Sequence, residues 1–152
     1  MKAWRVCKKA RARTAFDGEG ARLHGGRWNH KGVPMVYCAS TLALAMLEIL
    51  VHLDSDELPD DYVSIEVDLP DPLEEVDVRA LPGNWRKAPG PAALMDIGSK
   101  WAKSGRSLAL RVPSVIVPEE WNVLLNPKHA DMLKIATRAP RKLTFDPRLR
   151  KP

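Results

Sequence analysis

The segment Thr41–Leu53, TLALAMLEILVHL, constrains the fold more than any other part of the chain. From Leu42 to Leu53 every position is apolar except Glu48 and His52, and neither glycine nor proline interrupts the run. Such a run predicts a helix with Ser40 or Thr41 as its N-cap. Apolar residues on nearly every side predict a helix buried nearly all round. It is too short to cross a bilayer, which takes about 20 such residues. Glu48 is the anomaly. A buried carboxylate is costly without partners, so Glu48 either pairs with a cation, is protonated, or shares the one wet strip of the helix with His52, one turn on. A carboxylate held in a cleft beside arginines is suited to stabilise a developing cation or to orient a hydroxyl.

What packs against that helix is read from the other periodic segments. Tyr62 to Leu69 alternates, with Val63, Ile65, Val67 and Leu69 on one face and Tyr62, Ser64, Glu66 and Asp68 on the other. That pattern predicts a half-buried strand in an antiparallel or mixed sheet. Further strands are expected at Trp4–Cys7, Met35–Ala39, Leu108–Val112, Val115–Val117 and Leu143–Phe145. A second helix is expected from about Ala92 to Lys103, after the Pro/Gly-rich connection from Leu81 to Pro91. The stretch from Lys8 to Gly32 reads as polar connection. The fold class is therefore α+β: a mixed, mainly antiparallel sheet with flanking helices. At 152 residues, with no repeat and no long linker, the chain is expected to form one domain.

Cys7 and Cys38 make no CxxC pair and no disulfide framework, and no leader-like apolar segment opens the chain, so a reduced, cytoplasmic setting is expected. The cysteines and the four histidines show no metal-ligand spacing, and no metal is expected. There is no GxGxxG and no P-loop, so a nucleotide would not be held in the usual phosphate loops. Charge is segregated. Residues 1–32 carry a balance of +7, residues 33–78 a balance of −12 with no Lys or Arg, and residues 79–152 a balance of +10. The net +5 admits a nucleic-acid partner. Yet the basic residues are scattered, without a run or an aromatic-interleaved motif, and direct nucleic-acid binding is not expected.

Residues Gly25–Gly32, GGRWNHKG, place Arg27 and Trp28 among three glycines. Glycines permit a tight turn, which would aim Arg27 into a cleft opposite Glu48 and let the two pair in the absence of ligand. On the residues alone Trp28 and Asn29 also read as residues that only shape the turn.

The segments GGRWNHKGVPMVYCAS, LALAMLEILVHL, LALRVPSVIVPEEWNVLLNPKHAD and FDPRL occur in that order and resemble the RES domain, named for an arginine, a glutamate and a serine. The resemblance runs from about residue 5 to 149, ahead of a short basic tail, and the naming residues fall on Arg27, Glu48 and Ser114. Residues 71–105 match no motif of the family. The resemblance implies a fold similar to ADP-ribosyltransferases and a bacterial toxin that consumes NAD⁺. The nicotinamide–ribose bond is broken and ADP-ribose passes to a protein, phosphate or water. The expected enzyme is thus an ADP-ribosyltransferase, an NAD⁺ glycohydrolase or a phosphorylase. The implied partner is an Xre-type antitoxin in a heteromeric complex, with no membrane. The alternative class is a ribonuclease-type or RNA-binding toxin, which the pI near 9.4 would suit.

The resemblance also implies roles. Glu48, Arg27 and Ser114 are the candidate catalytic residues, and Arg5, Arg27, Tyr37, Glu48, Ser114 and Asn126 the candidate NAD⁺-binding ones. Arginine meets a pyrophosphate with fork geometry, Tyr37 offers a ring to stack on nicotinamide, and the Ser114 hydroxyl is placed to bond the carboxamide or to orient Glu48. Bland readings stand beside these: Arg5 as a surface arginine, Tyr37 as core filling, Ser114 as a strand terminator, and Asn126 and His129 as residues fixing the LNPKH turn.

Overall fold

The alternating segment forms an interior strand near one edge of a mixed sheet in the computed structural model, which describes residues 1–53, 58–71 and 73–149. The strands are β1 (Lys2–Lys8), β2 (Val36–Ala39), β3 (Tyr62–Asp68), β4 (Glu74–Glu75), β5 (Ala109–Pro113), β6 (Trp121–Leu125), β7 (Ala136–Thr137) and β8 (Arg141–Lys142). Their order is β4-β5-β6-β2-β1-β3-β7, with β8 also on β3. All pairings are antiparallel except β4 with β5. Three α-helices flank the sheet: α1 (Glu19–His24), α2 (Leu42–Leu50) and α3 (Ala92–Ser104). The expected α+β class, with a mixed and mainly antiparallel sheet, is the class observed. No helix among the described residues is long and apolar enough to cross a membrane.

Register assigns side chains to faces, because directly opposed residues share one. β1 and β3 pair along their full length, Ala3 with Val67, Arg5 with Ile65 and Cys7 with Val63. That face continues through Val36, Cys38, Val123 and Leu125 and is closed by Ala12, Ala15 and Phe16 near the 3-10 helix Lys9–Thr14. The other face has two covers. Tyr37, Leu110, Val112 and Leu124 lie under Trp28 and the α3 residues Leu94, Trp101 and Ala102. Val6 and Ala39 lie under the α2 residues Leu44 and Ala45. The cover changes between Tyr37 and Ala39, two residues apart on β2, and the candidate site falls at that boundary.

Several expectations need correction. α2 is not buried all round: only Leu44 and Ala45 are buried, while Leu47 is 36% and Val51 54% exposed. One face of a helix laid along β1 and β2 suffices to cover that part of the sheet; Leu42, Met46, Ile49 and Leu50 pack partly buried at its sides, and Ala43 and Leu47 are left exposed. Val115–Val117 is a turn, because Ser114 Oγ accepts from the amides of Ile116 (3.1 Å) and Val117 (3.2 Å). The strand that follows is β6, which propensity alone had not marked. At the end of the chain β8 is the strand, while Leu143 and Phe145 are buried just beyond it, with Leu143 N–H still donating to Tyr62 O of β3 at 2.9 Å. The supposed polar connection after β1 folds into a 3-10 helix and α1. The two cysteines are free and buried, and burial pushes the Cys38 thiol up to about 12.

Candidate active site

The Gly25–Gly32 segment is a tight turn. Gly26 and Asn29 form a bridge pair, with Gly26 N–H bonded to Asn29 O at 3.0 Å, leaving Arg27 and Trp28 at the tip. Trp28 is 2% exposed and enters the core. Arg27 points elsewhere: its Nη1 donates to the carbonyls of Trp85 (3.1 Å) and Lys87 (2.8 Å). Gly26 is required by space, since a Cβ there would lie 2.6 Å from Tyr37 Oη. The Tyr37 hydroxyl closes the turn by accepting from Trp28 N–H (3.0 Å) and donating to Asn29 Oδ1 (2.7 Å). Burial raises the Tyr37 phenol well above its ordinary range, against the opposing pull of the Trp28 amide and Arg27. The hydroxyl therefore keeps the proton it donates. Asn29 Nδ2 donates to the carbonyls of Ala21 (2.8 Å) and Val33 (3.0 Å), which leaves this fully buried amide satisfied.

α3 holds the turn from above. Gly98 lets the helix approach so closely that an added Cβ would lie 1.9 Å from the Trp28 carbonyl oxygen. Beside it, Ser99 Oγ accepts from His30 N–H at 2.9 Å.

α2 supplies Glu48. Thr41 caps the helix, its Oγ1 accepting from Leu44 N–H (3.1 Å) and donating to Glu120 Oε2 (2.8 Å), which ties the helix start to the turn before β6. Glu48 lies one turn beyond Leu44 and so on the sheet-facing side. Its Oε1 accepts from Ser114 Oγ at 3.0 Å and from Asn122 Nδ2 at 2.6 Å. Ser114 is fully buried, and with its lone pairs taken by two amides its single proton is directed to Glu48. Glu48 Oε2 has no hydrogen-bond partner among the described residues. His52 is exposed and takes no part.

The structure thus brings Glu48, Ser114 and Asn122 into contact, with Tyr37 on the same sheet face as Asn122. Asn122 opposes Ala39 and Leu124 opposes Tyr37, making Asn122 and Tyr37 diagonal neighbours about 7 Å apart at Cβ. Arg27 and Glu48 make no ion pair, which corrects the expected resting partnership. The carbonyls of the 81–91 connection take the guanidinium instead. Arg5 sits on the opposite face with Ala3 and Cys7, donating through Nε to Ala15 O (3.2 Å) and through Nη1 to Tyr37 O (3.1 Å). It reaches the site only through the backbone of Tyr37. Asn126 is not brought to Glu48: it lies four residues, about 13 Å, beyond Asn122. Its Nδ2 donates to Ala102 O (2.9 Å) and its Oδ1 accepts from Lys128 N–H (3.1 Å). His129 caps a 3-10 helix through Nδ1.

Asn122 and the carbonyls of Trp85 and Lys87 were missed from sequence. The signal for Asn122 was an asparagine inside the apolar strand WNVLL, a residue depleted in strands that needs a reason to be there. Carbonyl contacts from the 81–91 connection leave no sequence signal.

The family model described as the RES domain matches residues 2–146. A Sphingobium sp. (strain YBL2) protein called "Prs ADP-ribosylating toxin" is 45% identical, the match covering 96% of this chain and 94% of that one. "Toxin Res" of Yersinia enterocolitica is 39% identical over 99% of this chain and 100% of its own. Among solved structures, the Mycobacterium tuberculosis MbcT–MbcA toxin–antitoxin complex contains a chain of the same fold. The TM-score is 0.73 at 17% identity, covering 94% of this chain and 84% of that one. With nearly its whole length matched by the family model, this chain belongs to the RES domain family.

Proposed function

We propose that this protein is the toxin of a toxin–antitoxin pair and that it cleaves the nicotinamide–ribose bond of NAD⁺, passing ADP-ribose to an acceptor. The observation that carries the reading is Glu48: a carboxylate gripped at Oε1 by Ser114 and Asn122, with Oε2 open, on the sheet face that presents Tyr37. When the bond between ribose C1′ and the nicotinamide nitrogen breaks, the electron pair leaves with neutral nicotinamide and positive charge develops on the ribose. A fixed carboxylate beside that ring stabilises the charge without reorganising as it forms. The nucleophile then bonds to C1′ and gives up its proton to solvent. Arg27, with Nη2 and Nε unbonded among the described residues, is assigned to the pyrophosphate. Tyr37 lines the nicotinamide side, and Arg5 supports Tyr37 from behind the sheet.

The acceptor is assigned as a protein side chain, in keeping with the name of the Sphingobium relative; water and phosphate are the competing acceptors. Incubation with NAD⁺ and assay for free nicotinamide tests the cleavage. Label in the adenylate half then separates the acceptors: label retained on a protein supports transfer, whereas label recovered as ADP-ribose or its phosphate ester makes the enzyme a glycohydrolase or phosphorylase. No nicotinamide release would refute the reading.

The inhibitory partner is assigned as an Xre-type antitoxin covering the cleft. Ala43, Leu47 and Val51 form an exposed apolar stripe beside Glu48, at the i, i+4, i+8 spacing on which such a segment can seat. If the assembled pair turns over NAD⁺ at the full free rate, occlusion is wrong.

Arg27→Lys is expected to raise the NAD⁺ dissociation constant at least tenfold in calorimetry while the protein still folds. Lysine keeps the charge but loses the fork that can hold the loop carbonyls and a phosphate together. Unchanged affinity would remove Arg27 from the phosphate site.

A further inference from the structure

Asn122 carries an unexplained atom. Its Nδ2 donates to Glu48, but its Oδ1 is buried and has no hydrogen-bond partner among the described residues. Rotating the amide cannot repair this, because Oδ1 would then face a carboxylate, which only accepts. A buried acceptor left without a donor is costly, and such exceptions call for a specific reason. The strand leaves little freedom for another answer: Asn122 is paired on both sides, with Ala39 of β2 and Val112 of β5. Its side chain is therefore presented at the boundary between the α2 and α3 covers. The orphaned oxygen lies on the same residue that grips Glu48 and on the face shared with Tyr37.

We infer that Asn122 is a substrate-contacting residue, whose Oδ1 accepts a hydrogen bond from a neutral N–H or O–H donor on the nicotinamide riboside half of the substrate. This rests on the NAD⁺ reading above. One amide then reports on both partners: Nδ2 holds the carboxylate that stabilises the developing cation, and Oδ1 holds the group that becomes that cation or leaves from it. Two donors on that half of the molecule fit, the carboxamide N–H of nicotinamide and a hydroxyl of the adjoining ribose.

The test compares wild type, Asn122→Ala and Asn122→Ser in NAD⁺ binding by calorimetry and in steady-state nicotinamide release, each normalised to its folded fraction. Wild type and Asn122→Ala are also titrated with nicotinic acid adenine dinucleotide, in which a carboxylate replaces the carboxamide. Both variants should show a rise of tenfold or more in dissociation constant and KM, and kcat should fall as well because Glu48 loses a donor. If wild type prefers NAD⁺ and Asn122→Ala loses that preference, the donor is the carboxamide. If affinity falls while the preference persists, it is a ribose hydroxyl. Wild-type affinity in both variants overturns the inference, including the case in which kcat alone falls, which would leave Asn122 only as a support for Glu48. Failure of wild type itself to bind NAD⁺ overturns the substrate reading on which the inference stands.

Discussion

Glu48→Gln is expected to lower nicotinamide release per folded molecule by a hundredfold or more, equivalent to about 2.7 kcal/mol of transition-state stabilisation. The substitution is nearly isosteric. A glutamine Oε1 still accepts from Ser114 and Asn122, whose donors now lie 3.0 and 2.6 Å from Glu48 Oε1. What disappears is the negative charge facing the ribose as nicotinamide departs. Folding should survive, NAD⁺ should still bind, and cells should tolerate the variant without an antitoxin. If Glu48 serves only to knit α2 to the 114–122 segment, the pattern reverses. Stability falls because a charge-assisted pair of bonds is weakened, while the folded fraction keeps its specific activity. Measuring the melting midpoint and nicotinamide release on one preparation decides between these outcomes. Near wild-type turnover per folded molecule would remove Glu48 from catalysis.

Gly98→Ala is expected to destabilise the protein by about 3 kcal/mol, a drop of roughly 10 °C in melting midpoint for a chain of this size. Helix propensity predicts the opposite sign, because alanine is favoured over glycine inside a helix by about 1 kcal/mol. The structural reason overrides it: the new methyl would sit 1.9 Å from the Trp28 carbonyl oxygen and 2.9 Å from its carbonyl carbon. Those are backbone atoms of the turn that presents Arg27, and they cannot swing aside as a flexible side chain would. Either α3 lifts from the sheet or the turn shifts, so NAD⁺ affinity should fall together with stability. Gly20→Ala in α1 is the control, since nothing lies within 4 Å of a Cβ there and its φ is unremarkable for L-residues. It should be neutral or slightly stabilising. Calorimetric melting of both variants checks the pair, and a stabilised Gly98→Ala would show that α3 does not rest on Trp28 as described.

Much of this protein was determined locally. Alternation in Tyr62–Asp68, the Thr41 cap, the glycines around Arg27 and the helix Ala92–Ser104 depend on neighbours a few residues away, and their patterns stand in the sequence. The identities of Arg27, Glu48 and Ser114 as the residues to examine were equally legible, because an ordered set of motifs does not require knowing how they meet. Other features were decided only by tertiary structure. Whether α2 was buried on all sides or on one depended on how much of the sheet needed cover, which no helical pattern encodes. Val115–Val117 has strand propensity, yet the Ser114 hydroxyl takes two of its amides and bends it. Arg5 and Tyr37 were both assigned to one site, but strand register puts them on opposite faces, and that register rests on the long-range pairing of Trp4 with Ala39. Asn126 and Asn122 look interchangeable in EEWNVLLNPKH. The first spends its amide on the backbone at the end of α3, and the second meets Glu48, because a spacing of four residues carries them about 13 Å apart along an extended strand. The partners of Arg27 were the least accessible of all. They are main-chain carbonyls of the 81–91 connection, and a carbonyl is present at every residue, so only the fold can select which of them a guanidinium reaches.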